Sequence, residues 1–432
     1  MSPCRIASPA GLMLLLCYTA AAEPTYTRDV ARIVQAKCQQ CHHPNDVAPF
    51  SLTSYDDAVT YAADIKQALT KRTMPPWKPV PGYGEFKDSY GITDYERQTV
   101  IDWIDSGMSK GEAADAPDAL PVNDSPWQLG TPDLVLQMPE YTPPRAADTY
   151  RCFSMPTGVD VRKYINAAEA LPGSRQEVHH ILLFLDENGD SAKLDGQDGD
   201  PGYTCFGGPG IELDGVGALK TAVGGILGAW VPGARIRRLD EGIGVLLPGK
   251  SRVIVQVHYH PSGRITPDQT QVGFYYAPTE SIQHRMLTIP IVNTTFKIPP
   301  GASNQEVTAS FTVPFFATGK AIVVAPHMHL LGRKINLEIK DTNGTVRPVI
   351  RIDDWDFNWQ GFYTLQEPIQ LKAGSVIRLS ATYDNSEGNP RNPNNPLKTV
   401  GWGEGTNDEM CLAFLGVILD DERLASLFRV NR

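Results

Sequence analysis

The sequence predicts a multidomain protein in which a small all-α segment precedes a longer stretch of antiparallel β-structure. Three observations carry that expectation. Amphipathic runs with helical period occur only before about residue 109. Beyond residue 128, short apolar runs such as "PDLVLQM", "HHILLFL", "RVIVQVHYH", "KINLEI" and "SVIRLSATY" are separated by turn residues, the pattern of sandwiches or barrels. The 38 glycines and 35 prolines favour loops and strands over helices. A length of 432 residues allows two to four domains. Charged residues at 20% and apolar ones at 41% describe ordinary globular material. A net charge of −10 without long charged runs argues against nucleic acid and anionic membrane surfaces as partners.

Residues 1–22 read as an export signal. Arg5 provides a thin positive start, "AGLMLLLCYTAAA" the apolar core, and Ala20, Ala21 and Ala22 the small residues before Glu23. The apolar stretch falls short of the ~20 residues that a spanning helix needs. No other segment is longer, so a mature protein without an integral membrane span is expected, periplasmic or secreted.

Residues 23–109 form the helical segment. "YTRDVARIVQAKC" is an amphipathic helix leading into "KCQQCHHP", a C-x-x-C-H pattern. Thiols at that spacing share one helical turn and can bond both vinyl groups of a porphyrin, with the next histidine facing the iron. Cys38, Cys41 and His42 are therefore expected to attach one covalent haem c. A thioredoxin-type pair lacks a βαβ context, and a zinc site lacks a second C-x-x-C. The segment looks like a small cytochrome c domain. "SYDDAVTYAADIKQALTKR" is its next helix, capped by Ser54, and "DYERQTVIDWIDSGM" closes it. Between them "TMPPW" offers Met74 as second axial ligand, a thioether that raises the potential and favours electron transfer. Met108 is the next candidate, and His43 is a bystander. Residues 110–126, rich in Ala, Asp and Pro, read as a linker.

The β-rich part holds the remaining histidines: His179, His180, His258, His260, His284, His327 and His329. Six of these seven lie in three clusters on apolar strands. In "VVAPHMHLLGRK" the flanking valines and leucines predict a buried strand, on which His327 and His329 share a face. Buried imidazoles need partners, and a metal ion supplies one. Imidazole suits both copper oxidation states, whereas a thioether favours Cu(I).

The motifs "EVHHILLFL", "VHYHP", "HMHLLGRK" and "DEMC" resemble, in order and spacing, the copper type II ascorbate-dependent monooxygenases over about residues 128–432. The resemblance implies two tandem antiparallel β-sandwich (jelly-roll) domains, 127–290 and 291–432, with one copper each. His179, His180 and His258 would hold the electron-transfer copper. His327, His329 and Met410 would hold the copper that meets O2 and substrate. Neighbours on a regular strand face opposite ways, so His179 and His180 require a bulge or a strand start. His260 shares the face of His258 and could replace it, while His284 reads as a packing histidine. Cys152 and Cys205 match a family disulfide, permitted by export. The usual partner position of Cys411 is Ala381, so a buried free thiol is expected.

Two departures narrow the substrate. Ala325 stands where the peptide-amidating members have a carboxylate-binding arginine, and Phe414 where they have a tyrosine. Glu404, Asp408 and Glu409 lie near Met410 without forming an evident amine receptor. The expected function is a copper monooxygenase with two copper ions that hydroxylates a C–H bond of a small-molecule substrate with O2. An external one-electron donor would feed it through the fused haem, or an ascorbate-like donor would do so directly. The alternatives are a non-catalytic periplasmic electron-transfer or copper-binding protein, and a sandwich binding module whose histidine clusters lie far apart.

Overall fold

Most of the helices lie in the first part of the chain, where two of them open on side-chain caps. In this computed structural model, residues 23–44, 48–121, 125–145, 148–205, 208–211, 225–233, 235–260 and 266–427 are described. The expected signal, 1–22, lies outside them, as do residues 122–124 of the linker. One compact unit comprises residues up to 43, 50–75 and 92–120, and among its described residues the regular elements are all helical. Helices α1 (Ala31–Lys37), α2 (Tyr55–Thr60), α3 (Ala62–Thr70) and α4 (Asp94–Asp105) pack around Val30, Val34, Leu69, Val100 and Trp103. Ser54 and Thr93 each accept the backbone N–H three residues on, while Asp57 and Glu96 return the bond, so both helices open on full capping boxes. The run expected as one helix from Ser54 is divided at Tyr61, whose ψ of 16° leaves the helical range. Met108 packs against this core and its carbonyl accepts from Tyr55.

The second unit comprises 44–49, 76–91 and everything from 121 onward, and it is built of strands. Its first sandwich has one sheet in the order β1 (Leu134–Gln137), β9 (Gln271–Ala277), β3 (Lys163–Leu171), β7 (Ile243–Leu247) and β10 (His284–Arg285). The facing sheet runs β5 (Tyr203–Thr204), β2 (Thr149–Pro156), β8 (Arg252–Tyr259), β4 (Val178–Asp186) and β6 (Ile226–Trp230). The second sandwich pairs β11 (Leu287–Asn293), β20 (Cys411–Leu419), β14 (Gly319–His327) and β17 (Tyr363–Leu371) with β13 (Gln305–Thr312), β18 (Val376–Tyr383), β15 (Gly332–Lys340) and β16 (Val346–Ile352). A short pair, β12 (Lys297–Ile298) with β19 (Val400–Gly401), lies beside it. Among the described residues the named strands pair antiparallel except for β10 with β7.

Alternation along each strand sends one set of side chains inward. On β8, Val253, Val255, Val257 and Tyr259 enter the first core, which leaves Ile254, Gln256 and His258 on the outer face. On β20, Cys411, Ala413, Leu415 and Val417 enter the second core, which leaves Leu412 and Phe414 outside. The Cys152–Cys205 disulfide is present, and Cys411 is buried and unbridged, opposite no cysteine.

Residues 76–91, expected within the helical segment, instead form a strap on the second sandwich. Pro79 bridges to Ile352 of β16 and Phe86 to Leu365 of β17, so the strap covers the open edges of both sheets. Trp77 packs edge-on against Tyr363 at 5.4 Å and Lys78 pairs with Asp354 at 2.8 Å. Apolar burial of Trp77 and Phe86 outweighs chain adjacency to the helices, which is why sequence periodicity did not show it.

Candidate metal centres

A one-residue shift in the sheet builds the first centre. The pairing of β4 with β8 slips between Val178 and His180, so His179 is the extra residue of a bulge. Val178 and Ile181 both face the core. Three residues apart on a regular strand, they would face opposite ways, and the bulge lets His179 and His180 share the outer face between them. His180 lies directly opposite His258. One ligand atom from each of His179, His180 and His258 can be chosen so that all lie within 4.8 Å of one another. The Nδ1 atoms of His179 and His180 stand 3.2 Å apart, and neither buried ring nitrogen of His258 has a hydrogen-bond partner. In the neutral ring one of these nitrogens carries a lone pair, and an orphaned buried acceptor beside two further imidazoles fits a cation bound among them.

The surroundings hold these rings in place. Tyr150, opposite His258 on β2, stacks on it at 4.1 Å and 10°, and its hydroxyl donates to the Glu404 carbonyl. His260 is not part of the cluster: its side chain is more than half exposed and its Nδ1 bonds Asp148 at 2.8 Å. Partial burial pushes the Asp148 carboxyl upward, but the His258 and His260 imidazoles and Thr406 beside it outweigh that and hold it below the ordinary range. His284 sits on β10, 3.7 Å from Glu422.

The second centre departs from the strand expected for it. β14 ends at His327, and His329 lies in the turn that follows, with Met328 fully buried between them. The rings are nonetheless 5.1 Å apart. A buried carboxylate replaces the missing strand partner: Glu409 accepts from His329 N at 2.9 Å, Leu331 N at 2.6 Å and Met410 N at 3.1 Å. The same Oε2 thus holds the backbones of His329 and Met410 together. Burial pushes the Glu409 carboxyl up to about 8 against the pull of those N–H donors. His327 Nδ1 faces Gln360 Oε1, and His329 Nδ1 faces the Asp408 carbonyl at 3.1 Å. Each acceptor fixes the proton on Nδ1 and leaves Nε2 as the lone-pair nitrogen, the tautomer a metal requires. Gln360, Tyr150 and Asp148 escaped sequence reasoning because no spacing rule links them to the histidines, and Glu409 was noted only for its place beside Met410.

Burial sets the charge of both clusters. It lowers His179 to about 3 and His327 to about 4, and pushes His180 and His329 well below 6.5, with neighbouring imidazoles adding to the effect. Four imidazoles are therefore neutral and ready to ligate at pH 7. The unfolded chain takes up these protons near pH 6.5, whereas the folded chain resists until about 4 or 3. Metal-free protein should accordingly keep full stability from these groups above pH 6.5 and lose it as pH falls through that window. Thermal melts between pH 7.5 and 4 check this, and a flat profile would contradict it.

In the helical unit, Cys41 N and His42 N both donate to the Cys38 carbonyl, at 3.1 and 2.9 Å, so the motif forms one helical turn. His42 Nδ1 faces the Phe50 carbonyl at 3.0 Å. Neither cysteine is in a disulfide. Met74 lies at the close of this unit's middle segment, joined by a cis bond to Pro75, which ends it.

Residues 283–417 match the family model of the copper type II ascorbate-dependent monooxygenase C-terminal domain. The chain is 24% identical to human DBH-like monooxygenase protein 2 over 305 residues, 65% of this chain and 55% of that one. It is 25% identical to dopamine beta-hydroxylase of Canis lupus familiaris over 209 residues, covering 44% and 31%. It is also 24% identical to peptidyl-glycine alpha-amidating monooxygenase A of Xenopus laevis over 314 residues, covering 66% and 28%. The chain thus spans about half or less of these relatives' lengths. Together these matches support the copper monooxygenase family. Among solved structures, an infectious bursal disease virus protein aligns at 11% identity over 69% of this chain and 76% of its own, with a TM-score of 0.21, which carries no argument.

Proposed function

We propose that this protein is an exported copper monooxygenase that hydroxylates a C–H bond of a small molecule, taking one oxygen atom from O2 and releasing the other as water. The observation that carries the reading is the convergence of His179, His180 and His258, with the His327 and His329 rings paired 5.1 Å apart. His179, His180 and His258 would hold one copper, and His327, His329 and Met410 the other. Copper, when bound, supplies one stored electron per site and the oxygen chemistry. The chain's own residues do the positioning. The bulge at His179 converges three imidazoles, Gln360 and Asp408 aim two more, and Glu409 ties the backbone of Met410 to that of His329.

Substrate selection falls to the outer face next to His327. Ala325 lies opposite Phe414 across β14 and β20, so that spot offers apolar surface and no cation. A substrate without a carboxylate anchor follows from this. Cys38, Cys41 and His42 would attach a haem c as one-electron carrier, with Met74 as candidate second ligand and an external or ascorbate-like donor upstream. Residues 1–22 would direct the protein to the periplasm or outside the cell, in keeping with its disulfide. Among the described residues no helix is long and apolar enough to cross a membrane.

Metal analysis with oxygen uptake tests the reading. The purified protein should bind two copper ions, and Met410→Leu, which conserves volume, should keep the first and abolish substrate-dependent oxygen consumption. One copper per chain, or zinc retained in competition with copper, refutes it.

A further inference from the structure

The loop between β16 and β17, residues 353–362, touches both histidine clusters at once. The Phe357 ring stacks on His179 at 4.6 Å and 20°, and meets His329 edge-on at 5.6 Å and 79°. Three residues on, Gln360 bonds His327 through its carbonyl oxygen and donates its amide to the Phe357 carbonyl at 3.0 Å. A single short segment therefore orients one imidazole of the first cluster and both of the second. The two clusters stand one phenyl ring apart.

The loop is held firmly enough to act as a spacer. Trp355 is buried in the second core; its backbone N–H donates to the Arg333 carbonyl at 2.9 Å and its carbonyl accepts from Arg391 at 2.6 Å. Asp356 turns the chain by accepting from the N–H groups of Asn358 and Trp359, at 3.1 and 3.0 Å. The strap grips both ends, at Asp354 through Lys78 and at Ile352 and Tyr363 through Pro79 and Trp77. Phe357 is only 7% exposed, so its ring is turned inward onto His179 and His329 rather than to solvent. A ring lying flat on His179 also limits that imidazole's rotation.

We propose that Phe357 is a positioning residue that sets the separation of the two metal centres, with Gln360 on the same loop fixing His327 to it. The inference rests on the two-copper reading above and adds to it the element that couples the sites. Shrinking the ring should let water and side-chain motion enter the gap without removing any ligand.

The test uses the full chain loaded with Cu(II) and reads magnetic interaction rather than turnover. Wild type should hold two copper ions and show dipolar broadening between them. Phe357→Ala should retain both ions and each site's own spectrum, lose the broadening, and Phe357→Tyr should restore it. Should the alanine variant fail to fold, Phe357→Leu keeps apolar bulk but no flat face, and the same loss is expected. Two copper ions with broadening unchanged in the alanine or leucine variant overturn the inference and leave the two-copper reading standing. Fewer than two copper ions in wild type overturn both.

Discussion

Glu409→Ala should destabilise the protein by at least about 3 kcal/mol and empty the second centre, because three buried backbone N–H groups lose their acceptor at ~1–3 kcal/mol each. The carboxylate is fully buried and bonds His329, Leu331 and Met410 through both oxygens. Glu409→Gln is the sharper variant. Its shape is preserved, but the NH2 group must face at least one backbone N–H, donor against donor. We therefore expect glutamine to recover less than half of the alanine loss, with second-site copper still weakened. Denaturant midpoints and copper titration measure both effects. A glutamine variant with a wild-type midpoint and two copper ions would show that the carboxylate is incidental.

His258→Phe should fold, lose first-site copper and leave the second site loaded. His258 is 1% exposed on a central strand, between its cross-strand neighbours Tyr150 and His180. A phenyl ring can keep the stack on Tyr150 but brings no nitrogen. Loss of a direct ligand should exceed the roughly 10–100-fold affinity cost of losing an outer-shell partner. Substrate-dependent oxygen uptake should fall by at least about 100-fold, a barrier increase of roughly 2.7 kcal/mol, since one of the two stored electrons has no site. Together with Met410→Leu, this variant separates the two centres by copper count. If His258→Phe still bound two copper ions, the three-histidine assignment would be wrong.

Where local chemistry decides, the sequence alone was informative. Strand period, turn residues and glycine and proline content announced the β-rich part, and Ser54 announced a helix start that the structure caps in full. For adjacent His179 and His180 to share a metal, as the family resemblance implied, a bulge or a strand start was needed, and the register shift lies at that point. The Cys152–Cys205 bond and the unbridged Cys411 followed from the family resemblance.

What the tertiary structure decided is how the ligands are aimed. His329 was expected on the strand of His327, yet it lies beyond the strand's end because Glu409, 80 residues later in the chain, supplies the acceptor its backbone needs. Gln360 reaches His327 across 33 residues, and Asp408 reaches His329 across 79. Phe357 meets His179 from the other sandwich, and the strap 76–91 leaves its helical neighbours to cover two sheet edges. Periodicity reports which face of its own element a residue occupies. Ring orientation and the distance between centres are set instead by hydrogen bonds and packing between elements remote in sequence, which only the folded chain brings together.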